Sequence, residues 1–174
     1  MKILLLGAGN SREIRLQHSD EQRAAEIVTL DFDPNCKPDV WHDLNYMPLP
    51  FKDNEFDQIH AYEVLEHIGR QGEWKKFFEE FSEYWRVLKP GGRLCGTSPS
   101  VGSRWLWGDP GHTRVISPEC FVFLSQAEYK KQVGHTSITD YRHIYSADFE
   151  PLWLKDDGES FSFILEAMKG NTDG

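Results

Sequence analysis

Lys2-Ile3-Leu4-Leu5-Leu6-Gly7-Ala8-Gly9-Asn10-Ser11-Arg12-Glu13 is the stretch on which the fold turns. An apolar run that breaks into two glycines one residue apart, followed by helix-compatible residues, predicts a buried parallel strand turning sharply into a helix from Asn10 to about Leu16. Gly7 and Gly9 permit backbone conformations closed to other residues and let a ligand approach the main chain. The N–H groups that open the helix would face that ligand. A plain strand-to-helix turn also contains such a pair, so the residues of the neighbouring strand decide between the two.

The next segment, His18 to Ala25, is polar and reads as loop or helical continuation. Glu26-Ile27-Val28-Thr29-Leu30-Asp31 then reads as a β-branched strand ending on an acid. A carboxylate about 20 residues beyond such glycines, at the tip of the neighbouring strand, accepts hydrogen bonds from ribose hydroxyls in nucleotide-binding units. Asp31 has that position; Asp33, two residues on, is the alternative, and a strand-ending Asp can also serve as a cap. Asp33 to Pro38 holds two prolines and is too short for the crossover helix a parallel sheet normally uses. A shortened fold is expected, with Asp39-Val40-Trp41-His42 reached through a loop and one sheet face partly uncovered.

Phe56-Asp57-Gln58-Ile59-His60-Ala61 reads as another buried strand. From Glu63 the apolar period changes to three and four, through Trp74, Phe77, Phe78, Phe81, Tyr84 and Trp85, which marks an amphipathic helix interrupted early at Gly69 and Gly72. Lys89-Pro90-Gly91-Gly92 stops it, and Arg93 to Ser98 is the next strand. Ser100 to Thr113 reads as a loop, and Ser117-Pro118 as the start of a helix running through Phe121, Leu124 and Tyr129. Two strands, Phe149–Leu154 and Ser160–Ala167, close the chain as a hairpin around Asp156-Asp157-Gly158. Strands alternating with helices and ending on a hairpin give a mostly parallel sheet with one reversed strand.

The 174 residues suit one domain, 1–169, with a frayed tail over 170–174. Net charge is −9, from 28 acidic and 19 basic residues, which argues against phosphate backbones and anionic membranes as partners. Cys36, Cys95 and Cys120 are odd in number and lack the spacing of a zinc or redox site, so reduced thiols and a cytoplasmic location are expected. The N-terminal apolar run lacks the features of a signal peptide, and no stretch has the length of a membrane-spanning helix. The seven histidines show no ligand spacing with the acids, so no metal is expected.

These residues resemble the class I S-adenosylmethionine-dependent methyltransferases, of the branch that includes the ubiquinone and menaquinone biosynthesis enzymes. The resemblance is carried by Leu5-Leu6-Gly7-Ala8-Gly9, Leu30-Asp31-Phe32-Asp33-Pro34, Asp43-Leu44 with Pro48-Leu49-Pro50-Phe51, Phe56-Asp57, Tyr62-Glu63-Val64-Leu65-Glu66-His67-Ile68, and Arg86-Val87-Leu88-Lys89-Pro90-Gly91-Gly92-Arg93-Leu94. It implies an α/β, Rossmann-like, doubly wound, mostly parallel seven-stranded sheet with one antiparallel C-terminal strand, and S-adenosyl-L-methionine as cofactor. By the same resemblance Gly7, Ala8, Gly9 and Asn10 bed its methionine and ribose, and Asp31 binds the ribose hydroxyls. Phe32 lies against adenine, Asp43 and the Leu44 N–H meet the adenine edge, and Tyr62 and Glu63 border the methionine. Two departures stand out: Leu5 where the family usually has an acid, and Ser11 where it usually has a third glycine. The helices that cover the cofactor in relatives are also missing ahead of the first strand, so an open site is expected, completed by a second copy or a large substrate.

Transfer from a sulfonium needs mainly alignment, with a base only where the acceptor must lose a proton. His67 and His112 are the candidate bases, although His67 could also cap or pack in its helix and a loop histidine is usually solvated. Trp105, Trp107 and Arg114 are candidate walls of an acceptor pocket. The motifs of amino-methylating DNA enzymes and of cytosine-C5 enzymes are absent, so the expected acceptor is a small molecule or another non-nucleic-acid acceptor, methylated on oxygen or nitrogen. Two rivals remain: a non-catalytic cofactor- or partner-binding domain, and a nicotinamide-dependent oxidoreductase, which the missing third glycine and missing Tyr-x-x-x-Lys disfavour.

Overall fold

The computed structural model describes residues 1–16 and 25–170. Seven strands form one sheet: β1 (Lys2–Leu6), β2 (Glu26–Asp31), β3 (Val40–Trp41), β4 (Phe56–Tyr62), β5 (Leu88–Pro99), β6 (Phe149–Asp156) and β7 (Ser160–Ala167). Their spatial order is β3-β2-β1-β4-β5-β7-β6, with β7 antiparallel to both neighbours and every other pair parallel. The expected sheet, with its one reversed strand, is the one observed. Strand order reverses between β1 and β4, and in open sheets ligands bind outside the carboxyl ends of strands at such a switch point.

The long helix is α1 (Trp74–Val87), preceded by a short 3-10 turn over Leu65–His67. Its apolar face buries Phe78, Phe81, Tyr84 and Val87. The aromatic stripe is core: Phe81 meets Phe121 of α3 (Pro118–Val122), and Phe121 packs on Phe161 and Phe163 of β7. A one-turn α2 (Trp105–Gly108) lies in the segment expected to be loop. The helix expected through Phe121 and Tyr129 is two pieces, α3 and α4 (Gln126–Gln132). Ser125 separates them because its extended backbone lets its hydroxyl accept the Glu128 N–H at 3.0 Å, starting a new helix. β5 begins at Leu88, directly after α1, so Pro90 and Gly91 fall within the strand and not before it.

No crossover helix joins β2 to β3; a 3-10 turn over Pro34–Cys36, capped by Asp33, takes its place. The helix expected from Asn10 is not formed over residues 10–16, and its continuation lies outside the described residues. The main-chain N–H groups of Arg15 and Leu16 donate to the Tyr62 hydroxyl, at 2.8 and 3.0 Å, and not to helical carbonyls. Arg12 reaches sideways to the Ile27 carbonyl and to Asp39. The expected tail lies outside the described residues beyond residue 170. Among the described residues no helix is long and apolar enough to cross a membrane.

Candidate functional site

A cavity of about 480 Å³ opens at the carboxyl ends of β1, β2 and β4. On the β2 and β3 side its wall includes Asp31, Phe32, His42, Asp43 and Leu44; on the β4 side it includes Glu63, Val64, His67 and Ile68, with Gly111 from a later loop. Most of the residues assigned from sequence therefore meet in one place, although they come from four separate segments.

Gly7 and Gly9 both have left-handed backbones, φ +55° and +52°. At Gly7 a β-carbon would stand 2.5 Å from Val64 Cγ2, so only glycine leaves the floor of the cavity open. The Gly9 N–H donates to Asp31 Oδ2 at 2.8 Å, and the Asp33 N–H donates to Asp31 Oδ1 at 2.9 Å. Asp31 thus fixes both turns while lining the cavity, and each oxygen keeps a lone pair for a ribose hydroxyl. Asp33 turns instead to its own cap: hydrogen bonds from Asn35 hold its carboxyl below the usual range.

Phe32 is 69% exposed on the cavity wall, and its carbonyl accepts the Trp41 indole N–H at 2.7 Å, which ties β3 to this side. Asp43 Oδ1 accepts from the Asn45 main chain and side chain, and Asn45 Oδ1 accepts the Gly69 N–H at 2.9 Å, tying the Asp43 loop to the β4 side. Ala8, Gly9, Asn10 and Tyr62 are not among the residues that border the cavity. Tyr62 is held elsewhere by His60 and by the 15–16 main chain. Glu63 does border it, with a left-handed φ of +56° that a non-glycine residue adopts only when its surroundings hold it there. Its N–H donates to the Thr97 carbonyl at 2.9 Å.

The β4 side ends in a cluster. Glu66 is fully buried; its Oε2 accepts the Ser98 hydroxyl at 2.9 Å, and burial pushes its carboxyl up to about 7. The Glu66 carbonyl accepts the N–H groups of Thr113 and Arg114, which docks the 109–114 loop against the 65–67 turn. That docking sets the His112 ring 4.6 Å from the His67 ring, at 76°. The two histidines, far apart in the chain, are brought together. The absence of a ligand spacing along the chain did not anticipate this: one donor atom each from Glu66, His67 and His112 lie within 4.8 Å of one another.

Arg114 is not on this wall. Its side chain is buried, donating to Glu80 at 2.9 Å and to the Leu65 carbonyl at 2.8 Å. Trp105 and Trp107 are 56% and 63% exposed and do not border the cavity. Glu66 and Gly111 were missed by sequence reasoning. An acid at a position due for burial, next to a histidine, is the signal that could have found Glu66.

A glycine-floored cavity at a sheet's switch point, with a carboxylate from the β2 tip and an exposed phenylalanine on its wall, has the form of a nucleotide-cofactor site. The chain belongs to the methyltransferase-domain family, which matches residues 4–96. It is Rossmann-like in fold, and S-adenosylmethionine is the cofactor that membership of this family implies. The residues present fit that group: the open floor at Gly7 and the free lone pairs of Asp31 are what its ribose and methionine require. A 24-methylenesterol C-methyltransferase 2 of Arabidopsis thaliana is 27% identical over 119 residues, 64% of this chain. The chain spans only 31% of that enzyme's length. In fold it is similar to a SAM-dependent methyltransferase from Archaeoglobus fulgidus, with TM-score 0.57, 13% identity, and coverage of 95% of this chain and 85% of the other. It is also similar to the N-methyltransferase NodS of Bradyrhizobium japonicum in complex with S-adenosylhomocysteine, with TM-score 0.55, 13% identity, and coverage of 97% and 78%.

Proposed function

We propose that this chain methylates an oxygen or nitrogen of a small-molecule acceptor, and that Glu66, His67 and His112 mark where the acceptor's proton is handled. The observation that carries this reading is the cluster itself, two imidazoles beside a buried carboxyl, of which His67 borders the cavity while His112 and Glu66 lie behind it. Bound S-adenosylmethionine supplies an electrophilic methyl group. The protein's share is placement: Asp31 and Asp43 hold the nucleoside on the β2 side, leaving the β4 side for the acceptor. An acceptor hydroxyl or ammonium must shed a proton as it is methylated, and His67, exposed on the cavity wall, is the group it meets. The excess of 28 acidic over 19 basic residues supports an acceptor other than nucleic acid.

Calorimetric titration with S-adenosylhomocysteine and with NADH, followed by label transfer from S-adenosylmethionine to phenols, amines, DNA and RNA, tests this. Micromolar binding of the homocysteine compound alone, lost in Asp31→Ala and Asp43→Ala, with label in phenols or amines, is expected. Label confined to nucleic acid would replace the acceptor class. Binding without transfer to anything would leave the domain a cofactor-binding module.

A further inference from the structure

A free imidazole base does not account for one feature of the β4 side. Glu66 Oε1 is fully buried and has no hydrogen-bond partner among the described residues. Its neighbour is His112 Nε2, 3.9 Å away, too far for a hydrogen bond. A bare buried carboxylate oxygen is costly, and native structures rarely leave one without a reason.

The histidines show what is missing. His112 Nδ1 lies 3.0 Å from the Leu106 carbonyl, and His67 Nδ1 lies 3.0 Å from the Gly111 carbonyl. A carbonyl only accepts, so each ring carries a proton on Nδ1, and in the neutral ring Nε2 is a lone pair. With the Glu66 carboxyl ionised, two lone pairs and a bare carboxylate oxygen are three acceptors with no donor among them. Asp109 Oδ2, 3.8 Å from His112 Nε2, adds a fourth acceptor at the edge. An arrangement of acceptors alone is completed by a cation.

Its surroundings match those of a metal ligand set. Ligating histidines almost always donate the other ring N–H to a carbonyl or carboxylate, and ligating carboxylates are themselves hydrogen-bonded. Here both rings meet carbonyls, and Ser98 holds the second oxygen of Glu66. Three donor atoms on arms of about 2.0–2.2 Å around one ion stand about 3–3.7 Å apart. One atom from each of the three residues already lies within 4.8 Å of the others, so side-chain rotations that draw them in by about 1–2 Å close the set. His67, exposed on the cavity wall, gives the ion its way in.

We propose that Glu66, His67 and His112 bind a divalent transition cation on the acceptor side of the cavity. Two imidazoles and one carboxylate suit zinc, manganese or iron(II) better than magnesium or calcium, and leave open positions for an exogenous oxygen. The proposal rests on the methyltransferase reading for its consequence: an acceptor hydroxyl bound there loses its proton to solvent, and its oxygen keeps the electron pair under the cation's charge. His67 and His112 would then act on the proton through the ion and not as free bases.

The test uses the whole chain, stripped with chelator and then freed of it, and titrated calorimetrically with zinc, manganese and magnesium chlorides. One zinc or manganese per chain, and no magnesium, is expected. Glu66→Gln, His112→Ala and His67→Ala should each weaken zinc at least tenfold, while His143→Ala, at an exposed imidazole elsewhere, leaves it unchanged. S-adenosylhomocysteine binding, followed in every variant, reports that the protein is folded, and His67→Ala removes an exposed ring with its one hydrogen bond to the Gly111 carbonyl. No zinc or manganese bound, or the same binding in the three variants, overturns the site. Should zinc bind while S-adenosylhomocysteine does not, the cation site stands and the methyltransferase reading falls; the reverse outcome removes the ion and leaves the imidazoles as free bases.

Discussion

Tyr62 Oη stands 2.6 Å from His60 Nδ1, and the same oxygen receives the main-chain N–H groups of Arg15 and Leu16. With two donors already on the oxygen, the phenol hydrogen points to His60 Nδ1. His60 Nε2–H then donates to Gln58 Oε1 at 2.8 Å. Only a neutral imidazole completes this chain, because a proton on Nδ1 would oppose the phenol hydrogen. The tie joins β4 to the segment after the glycine turn, so its protonation state bears on the fold around the cavity.

Burial lowers His60 to about 4, against an unfolded value near 6.5. Between those values the unfolded chain holds the proton and the folded chain does not, so folding stability is full above pH 6.5 and is lost as pH falls toward 4. At about 1.4 kcal/mol per pH unit the loss from this group is about 3 kcal/mol. His60→Gln should be less stable than wild type at pH 7.5, and the gap should narrow as pH falls to 5. Urea denaturation at both values measures it; a gap that stays constant would mean that His60 is not the titrating group.

Gly7 and Gly9 differ in their surroundings more than in their backbones. Both have positive φ, but a β-carbon at Gly7 meets Val64 at 2.5 Å while one at Gly9 meets nothing within 4 Å. Gly9→Ala should therefore cost about 1 kcal/mol, the conformational share alone. Gly7→Ala should cost about 1–3 kcal/mol more through overpacking, and Val64→Ala in the same chain should recover part of that excess. Equal thermal shifts for the two single variants would contradict the steric assignment.

Asp31 has two duties that can be separated. Asp31→Asn keeps one oxygen acceptor and should retain much of the fold while weakening S-adenosylhomocysteine about tenfold or more, about 1.4 kcal/mol. Asp31→Ala releases the Gly9 and Asp33 N–H groups as well and should lower stability by about 1–3 kcal/mol. Paired calorimetric and urea measurements on both variants distinguish ligand contact from turn fixing. If Asn binds as tightly as Asp, the carboxylate serves the turns alone.

The strand ends were readable because apolar runs stop on residues with a conformational or charge reason to be there: Gly7, Asp31 and Glu63. The mostly parallel sheet with its one reversed strand followed from those runs and from the resemblance, while the order of its strands came from the structure. What was not readable depends on partners remote in the chain. The helix after Gly9 is absent over residues 10–16 because a tyrosine 46 residues beyond Leu16 takes its N–H groups. Glu66 lies in a stretch with helical spacing, and only the docking of the 109–114 loop turns it into part of a site. Trp105 and Trp107 show the limit of composition: aromatic residues in a loop suggest a pocket wall, but these two face outward.

Arg114 is the case where a loop arginine reads as a substrate contact and the fold makes it structural. Its Nη2 lies 2.9 and 2.8 Å from the two oxygens of fully buried Glu80, whose Oε1 also accepts the Tyr84 hydroxyl. Burial raises the Glu80 carboxyl, and the arginine beside it opposes that rise. Removing the cation leaves an acid in the core with no counter-charge, which typically costs about 3–5 kcal/mol, whereas replacing both partners with apolar groups is often neutral. Arg114→Ala should therefore destabilise the protein by that amount, and Arg114→Met combined with Glu80→Leu should restore most of it. S-adenosylhomocysteine affinity of the folded fraction should stay within twofold of wild type in both, since neither side chain borders the cavity. A large loss of affinity in the double variant, at restored stability, would return Arg114 to the acceptor wall.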